Sequence, residues 1–309
     1  SSAASDVYKR QVIWNIISIF VNLVLTIVLV MVFNMDLSGA AIATVIANWC
    51  IVPACLVSMI KSKQNKLVLK ELTPNIKYSK KIFKLGIPAA LSQAFTSLGF
   101  VIINTMMSSY AGMTKDILSG ITTCNRINSL LLFPAMGVGT VLATFVGQNI
   151  GAGNIKRAKM SFLSALLLSL MISVLGSLLM LPFRSTIASL LGARGEELAL
   201  CDRYLLYLLL GLPLMSIFQC FNGCFQGAGR TDLSLVLSTS RLWIMRVPVL
   251  FLMLFVFDMG VKSVWICMNI SNFGAFFMGC ILYALVDFKP RITNTKKIIE
   301  EEGKQYGTQ

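Results

Sequence analysis

The chain contains no histidine, so general-base chemistry that depends on imidazole and metal sites ligated by it have nothing to work with. Acid is scarce too: 13 Asp and Glu stand against 27 Lys and Arg in 309 residues, for a formal net charge of +14. Charged residues of all kinds make up only 13%. No G-x-x-x-x-G-K-S/T phosphate loop is present, and the eight cysteines form no cluster with metal-ligand spacing. Most of them, including Cys50, Cys55, Cys220, Cys224, Cys267 and Cys280, sit within apolar runs, where a thiol behaves as a small packing group. These absences remove most routes to bond-making chemistry.

What the chain has is hydrophobicity in blocks. Apolar residues make up 56% of it and are gathered in long runs rather than on alternating faces. A bilayer span needs about 20 mostly apolar residues, because the hydrocarbon core is about 30 Å thick and a helix rises about 1.5 Å per residue. Eight stretches qualify: 12–33, 40–60, 88–107, 127–146, 162–183, 204–224, 233–257 and 264–286. Backbone polar groups in lipid must pair within their own segment, so the fold class is all-α integral membrane with eight spans.

The basic residues lie between these blocks instead of forming one face, which argues against a nucleic-acid partner and for a topology signal. If the first span runs outward, the inner connections hold eight lysines from Lys61 to Lys84, then Lys156, Arg157, Lys159 and Arg230, then the 289–309 tail. The outer ones keep Lys115, Arg184, Arg194, Arg203 and Lys262. Both termini are therefore expected in the cytoplasm, with the basic segments attracting anionic lipid heads. The opening residues, 1–11, read as a non-native leader and are set aside.

A self-comparison finds a repeat. FNMDLSGAAIATVIANW, 33–49, aligns without gaps on FDMGVKSVWICMNISNF, 257–273, matching Phe33 to Phe257, Met35 to Met259, Ile42 to Ile266, Ile46 to Ile270 and Asn48 to Asn272. The offset encloses six spans, so each repeat has six and the two are parallel, related by an axis along the membrane normal. On this reading 12–60 is the end of one lobe, 61–84 a cytoplasmic linker and 85–288 a complete six-helix lobe. The first lobe's first four helices lie outside this sequence.

Within the second lobe Pro134 is followed by Gly137 and Gly139, a combination that weakens the helical ladder and suits either a hinge or close helix packing. Pro88 and Pro248 are further bend candidates. The run Gly147-Gln148-Asn149-Ile150-Gly151-Ala152-Gly153 could be taken for a phosphate cradle, but a glycine-rich helix stop accounts for it better. Gly227 and Gly229 form a similar stop. Buried polarity is the other signal, since ionisable groups in hydrocarbon usually face a cavity or a partner. Arg126, Arg241 and Arg246 are the charged candidates, the last two five residues apart and so expected on different helix faces. Gln93, Asn104, Asn125, Asn128 and Asn222 are the uncharged candidates for a wet cavity.

At the segment around Pro134 the chain resembles the multidrug and toxic compound extrusion (MATE) family, on FVGQNIGAGNIKRA together with KLGIPAAL, FQGAGRT and RVPVLFLML. The resemblance covers everything but the termini and implies two six-helix lobes in a MATE-like helical bundle, in agreement with the repeat. It also implies an alternating-access antiporter that exchanges amphipathic organic cations or other small-molecule drugs for H+ or Na+, as a monomer in the bacterial inner membrane. NorM-like members carry acidic residues where this chain has Phe95 and, nearby in the tenth family helix, Met215. The pattern is therefore similar to the DinF-like branch, which places the coupling carboxylate in the missing first helix. No cofactor or metal beyond the coupling cation is implied. A lipid-linked glycan flippase of the same superfamily is the alternative, and a membrane-embedded transferase a more distant one.

Overall fold

A computed structural model of the protein describes residues 2–60, 76–110, 112, 114–190, 194–286 and 288. The tail at 289–309 and the first part of the 61–84 linker lie outside the described residues. The chain divides into two compact units, Ser1–Ile76 and Lys77–Gln309.

Unit one is a helical hairpin. Helix α1, Ser2–Ile27, runs through the segment set aside as a leader and widens into a π-helical turn at Val28–Val32; α2 follows at Asp36–Ile60. Ser18 donates to the carbonyl of Ala47 at 3.3 Å and Asn22 to the hydroxyl of Thr44 at 3.2 Å, so polar groups join two otherwise apolar helices.

Unit two holds α3 (Ile76–Ser109), α4 (Lys115–Gly151), α5 (Ile155–Met180), a short α6 (Arg184–Leu190), α7 (Glu196–Gly227), α8 (Thr231–Thr239), α9 (Val247–Phe251) and α10 (Lys262–Ala284). Helix α3 begins inside the stretch read as linker, so 76–84 is helix rather than connection. Between α8 and α9, Ser240–Arg246 is π-helical, and a second π-helical turn at Leu252–Val256 follows α9. These pieces together make one span, Thr231–Val256. Seven described helices are long and apolar enough to cross a membrane, six of them in unit two; the remaining expected span falls on α2, whose described apolar stretch is Ser38–Cys50.

Lipid inverts the usual pattern of side chains. On α5, Leu163, Leu167, Met171, Leu175 and Leu178 are exposed, while Ser169, Ser173 and Ser177 are buried four residues apart. Ser177 donates to the carbonyl of Leu209 on α7 at 2.9 Å. The closest packing is between α4 and α7, where glycine lets backbones touch: a Cβ built at Gly223 would stand 2.2 Å from the carbonyl oxygen of Gly139, and one at Gly227 2.4 Å from that of Ala143. The loop ends are tied by polar pairs. Arg184 makes a two-point contact with Asp202 at 2.7 and 3.1 Å, which raises its pKa above the ordinary guanidinium value. Tyr110 donates to Asp258, which pushes its phenol pKa above the usual value.

Candidate functional site

Unit two contains a cavity of about 370 Å³ bounded by α3, α4, α7, α8 and the first residues of the π-helical turn. It gathers Gln93, Gly139, Asn222 and Arg241 from among the sequence candidates and adds Gln219 and Ser238. Asn222 is buried and accepts a hydrogen bond from Ser234 at 2.7 Å. A second cavity, about 420 Å³, takes in Asn104 and Asn125, whose side-chain oxygen accepts from the fully buried Tyr204 hydroxyl at 2.9 Å. Asn128 is buried beside Tyr204 and Asn272 around a void with no room for water. Arg126 is exposed and lines none of these three spaces, so the structure does not bring it to the other candidates.

The two remaining intramembrane arginines overturn their expected placement. In an α-helix, residues five apart point to different faces, but 240–246 follows i→i+5 bonding, and Val247 donates to Leu242. Five residues then make about one turn, so Arg241 and Arg246 project to one side. Both converge on the side-chain oxygen of Asn272, Arg241 from 3.5 Å and Arg246 from 3.3 Å. Arg246 also donates to Ser271 at 3.0 Å. Arg241 donates to the sulfur of Met215 at 3.0 Å, and the Phe218 ring centroid lies 4.1 Å from its guanidinium carbon. The widening has a local cause: Pro248 stands at the start of α9 and has no N–H to offer the carbonyl four residues back. Pro248 is thus a site of altered helix geometry. Pro88 and Pro134 lie inside helices that run on through them.

The glycine motifs are helix stops. Gly153 has φ +77°, its N–H bonds to Ile150 at 3.0 Å and that of Asn154 to Asn149 at 2.8 Å. Gly229 repeats this at φ +68°, with Gly229 bonding to Gln226 at 3.0 Å and Arg230 to Phe225 at 2.8 Å. Both are Schellman closures in which only glycine takes the left-handed position without strain. Gln148 and Gly151 belong to the last helical turn, and Asn149 donates back to Phe145 at 2.8 Å. Gly147 lies against the carbonyl of Gly227, 3.3 Å from where its Cβ would stand, which joins the two stops. Gly139 packs on Gln219, whereas a Cβ at Gly137 would meet nothing within 4 Å.

Apolar helices of membrane-spanning length around polar cavities of about 370 and 420 Å³ suit a membrane transport protein. The chain belongs to the MatE family, whose pattern matches residues 88–252, more than half of it. It is 28% identical to the probable multidrug resistance protein YpnP of Bacillus subtilis (strain 168), over 82% of this chain and 56% of that one. The fold is shared with a multidrug resistance MATE family transporter in its outward-facing conformation (TM-score 0.81, 21% identity, 88% of this chain and 61% of that one). It is shared likewise with the eukaryotic MATE transporter AtDTX14 (TM-score 0.80, 21% identity, 90% and 62%). The family is one of transporters, not enzymes. The chain spans about half the length of the curated relatives it matches.

Proposed function

We propose that this chain is the later part of a secondary active exporter: the last two helices of a first lobe and all six of a second, exchanging small organic molecules for H+ or Na+ by alternating access. The observation that carries the reading is the polar cavity enclosed by α3, α4, α7 and α8 inside a MATE-type bundle. At about 370 Å³ it lies in the range of small-molecule sites. No described span of unit two has a carboxylate on its cavity wall, and this supports a coupling-cation site in the first-lobe helices. The basic connections support a plasma-membrane protein with cytoplasmic termini, and we take the monomer as the working unit.

A ligand shifts an alternating-access equilibrium only by its differential affinity for the two states. Hence the test is transport, not binding. Full-length protein in vesicles should move a small organic probe, cationic ethidium or anionic carboxyfluorescein, against its gradient when a proton or sodium gradient is imposed, and stop when the gradient is collapsed. Translocation of a lipid-linked sugar without export of ethidium or any other drug would replace this reading with a flippase.

A further inference from the structure

We infer that the cavity beside Arg241 recognises an oxyanion, a carboxylate, phosphate or pyrophosphate borne by an otherwise apolar molecule, rather than an organic cation. This rests on the exporter reading for its substrate role. Arg241 is 7% exposed and Arg246 6%, and burial of a guanidinium is costly unless a charge or a full set of hydrogen bonds compensates. The ion pairs among the described residues that have a place in unit two, Arg184 with Asp202 and Arg230 with Asp232, involve neither of them. Their partners are neutral: an amide, a hydroxyl, a thioether and an aromatic face. Arg246 is held by Ser271 and Asn272 behind the cavity wall. Arg241 is the member that lines the cavity, and its Nε is buried with no hydrogen-bond partner.

Two positive charges directed at one amide oxygen add their potentials at the wall, and no acidic residue lines the space to offset them. The remaining lining supplies donors that can meet anionic oxygen, the side-chain amides of Gln93 and Asn222 and the Ser238 hydroxyl. Phe218 covers one face of the Arg241 guanidinium, and Nη1 is directed at Met215 and Asn272, so the group is held in one orientation at the wall. A cation entering here would meet like charge with no carboxylate on the wall to offset it.

Carboxyfluorescein binding to the full-length protein in nanodiscs tests this, with ethidium as the cationic control. Arg241→Gln should weaken carboxyfluorescein at least about tenfold, and Arg241→Lys should lose much less. Gln93→Glu puts an acid on the wall without touching the buried shell, so it decides the matter should Arg241→Gln fail to fold. It should weaken carboxyfluorescein to a similar degree and strengthen ethidium. Displacement by inorganic pyrophosphate identifies a free anion as the ligand, and displacement by a prenyl pyrophosphate alone identifies a lipid head; either supports the site. No binding of these three anions, or carboxyfluorescein affinity unchanged in folded Gln93→Glu, overturns it. Ethidium export without anion binding would sink this inference and leave the exporter standing. Anion binding dependent on Arg241 without any export would do the reverse.

Discussion

Asn272 joins the two buried arginines of unit two. It is 1% exposed, and its one side-chain oxygen receives two guanidinium groups. Hydrogen bonds to charged groups contribute about 1.5–3 kcal/mol each, and stripping a partner from a buried charge costs more than the bond itself. Asn272→Leu keeps the branched shape but removes the one acceptor that serves both arginines. It should destabilise the folded protein by about 3–5 kcal/mol, read as loss of thermal stability in detergent. Ser271→Ala removes one bond to Arg246 and leaves Asn272 in place, so its cost should be about 1–2 kcal/mol. Equal effects from the two substitutions would mean that Asn272 is not the shared acceptor. The Arg184–Asp202 pair is a useful contrast, since both side chains are about a third exposed and solvent screening should make its loss far milder than that of Asn272.

At the scale of elements, the α4–α7 contact separates two uses of glycine that composition cannot tell apart. Gly223 faces the carbonyl of Gly139 with no room for a methyl, so Gly223→Ala must push the helices apart. The expected cost is about 1–3 kcal/mol. Gly137 faces open space, and Gly137→Ala should stabilise α4 by about 0.5–1 kcal/mol through helix propensity alone. Melting curves of the two variants should move in opposite directions. If Gly137 is also a hinge beside Pro134, its alanine variant will be more stable yet slower in export of whichever probe the protein moves; unchanged export would leave Gly137 without that role. The same contrast shows what could be read in advance. The two helix stops were legible because a Schellman closure has a local sequence signature, glycine after a helical run with polar residues around it. The span pattern was legible because lipid imposes length and hydropathy. The convergence of Arg241 and Arg246 was not, since the expectation of different faces assumes 3.6 residues per turn and Pro248 imposes a wider one locally. Only the juxtaposition of mid-span arginines with a nearby proline hinted at it. Nor could sequence show that Gln93 and Asn222 share a cavity with Arg241 while Arg126 stays outside, because that depends on helix rotation.

At the scale of the whole molecule, the repeat inferred from 33–49 and 257–273 has a counterpart in backbone detail within each unit. Val28–Val32 and Leu252–Val256 are both π-helical and lie 224 residues apart. Phe33 bonds to Val28 at 3.1 Å and Phe257 to Leu252 at 2.9 Å; Met35 bonds to Leu29 at 3.1 Å and Met259 to Met253 at 3.0 Å. Asn34 and Asp258 share the left-handed region at φ 51° and 48°, as do Asp36 and Gly260 at 45° and 60°. Agreement of so many unusual backbone features at one offset favours duplication over chance likeness of apolar helices. A duplication of six spans each is parallel, so equivalent positions belong on the same side of the membrane. Met35 and Met259 are both partly exposed, at 38% and 41%, and close the two turns. Single cysteines placed there, in a protein whose native cysteines have been replaced, should react with a membrane-impermeant maleimide from the same side. By the distribution of lysine and arginine that side is the outer one. Labelling of the two from opposite sides would require an odd number of crossings between them, which would sink the six-helix repeat and with it the two-lobe architecture.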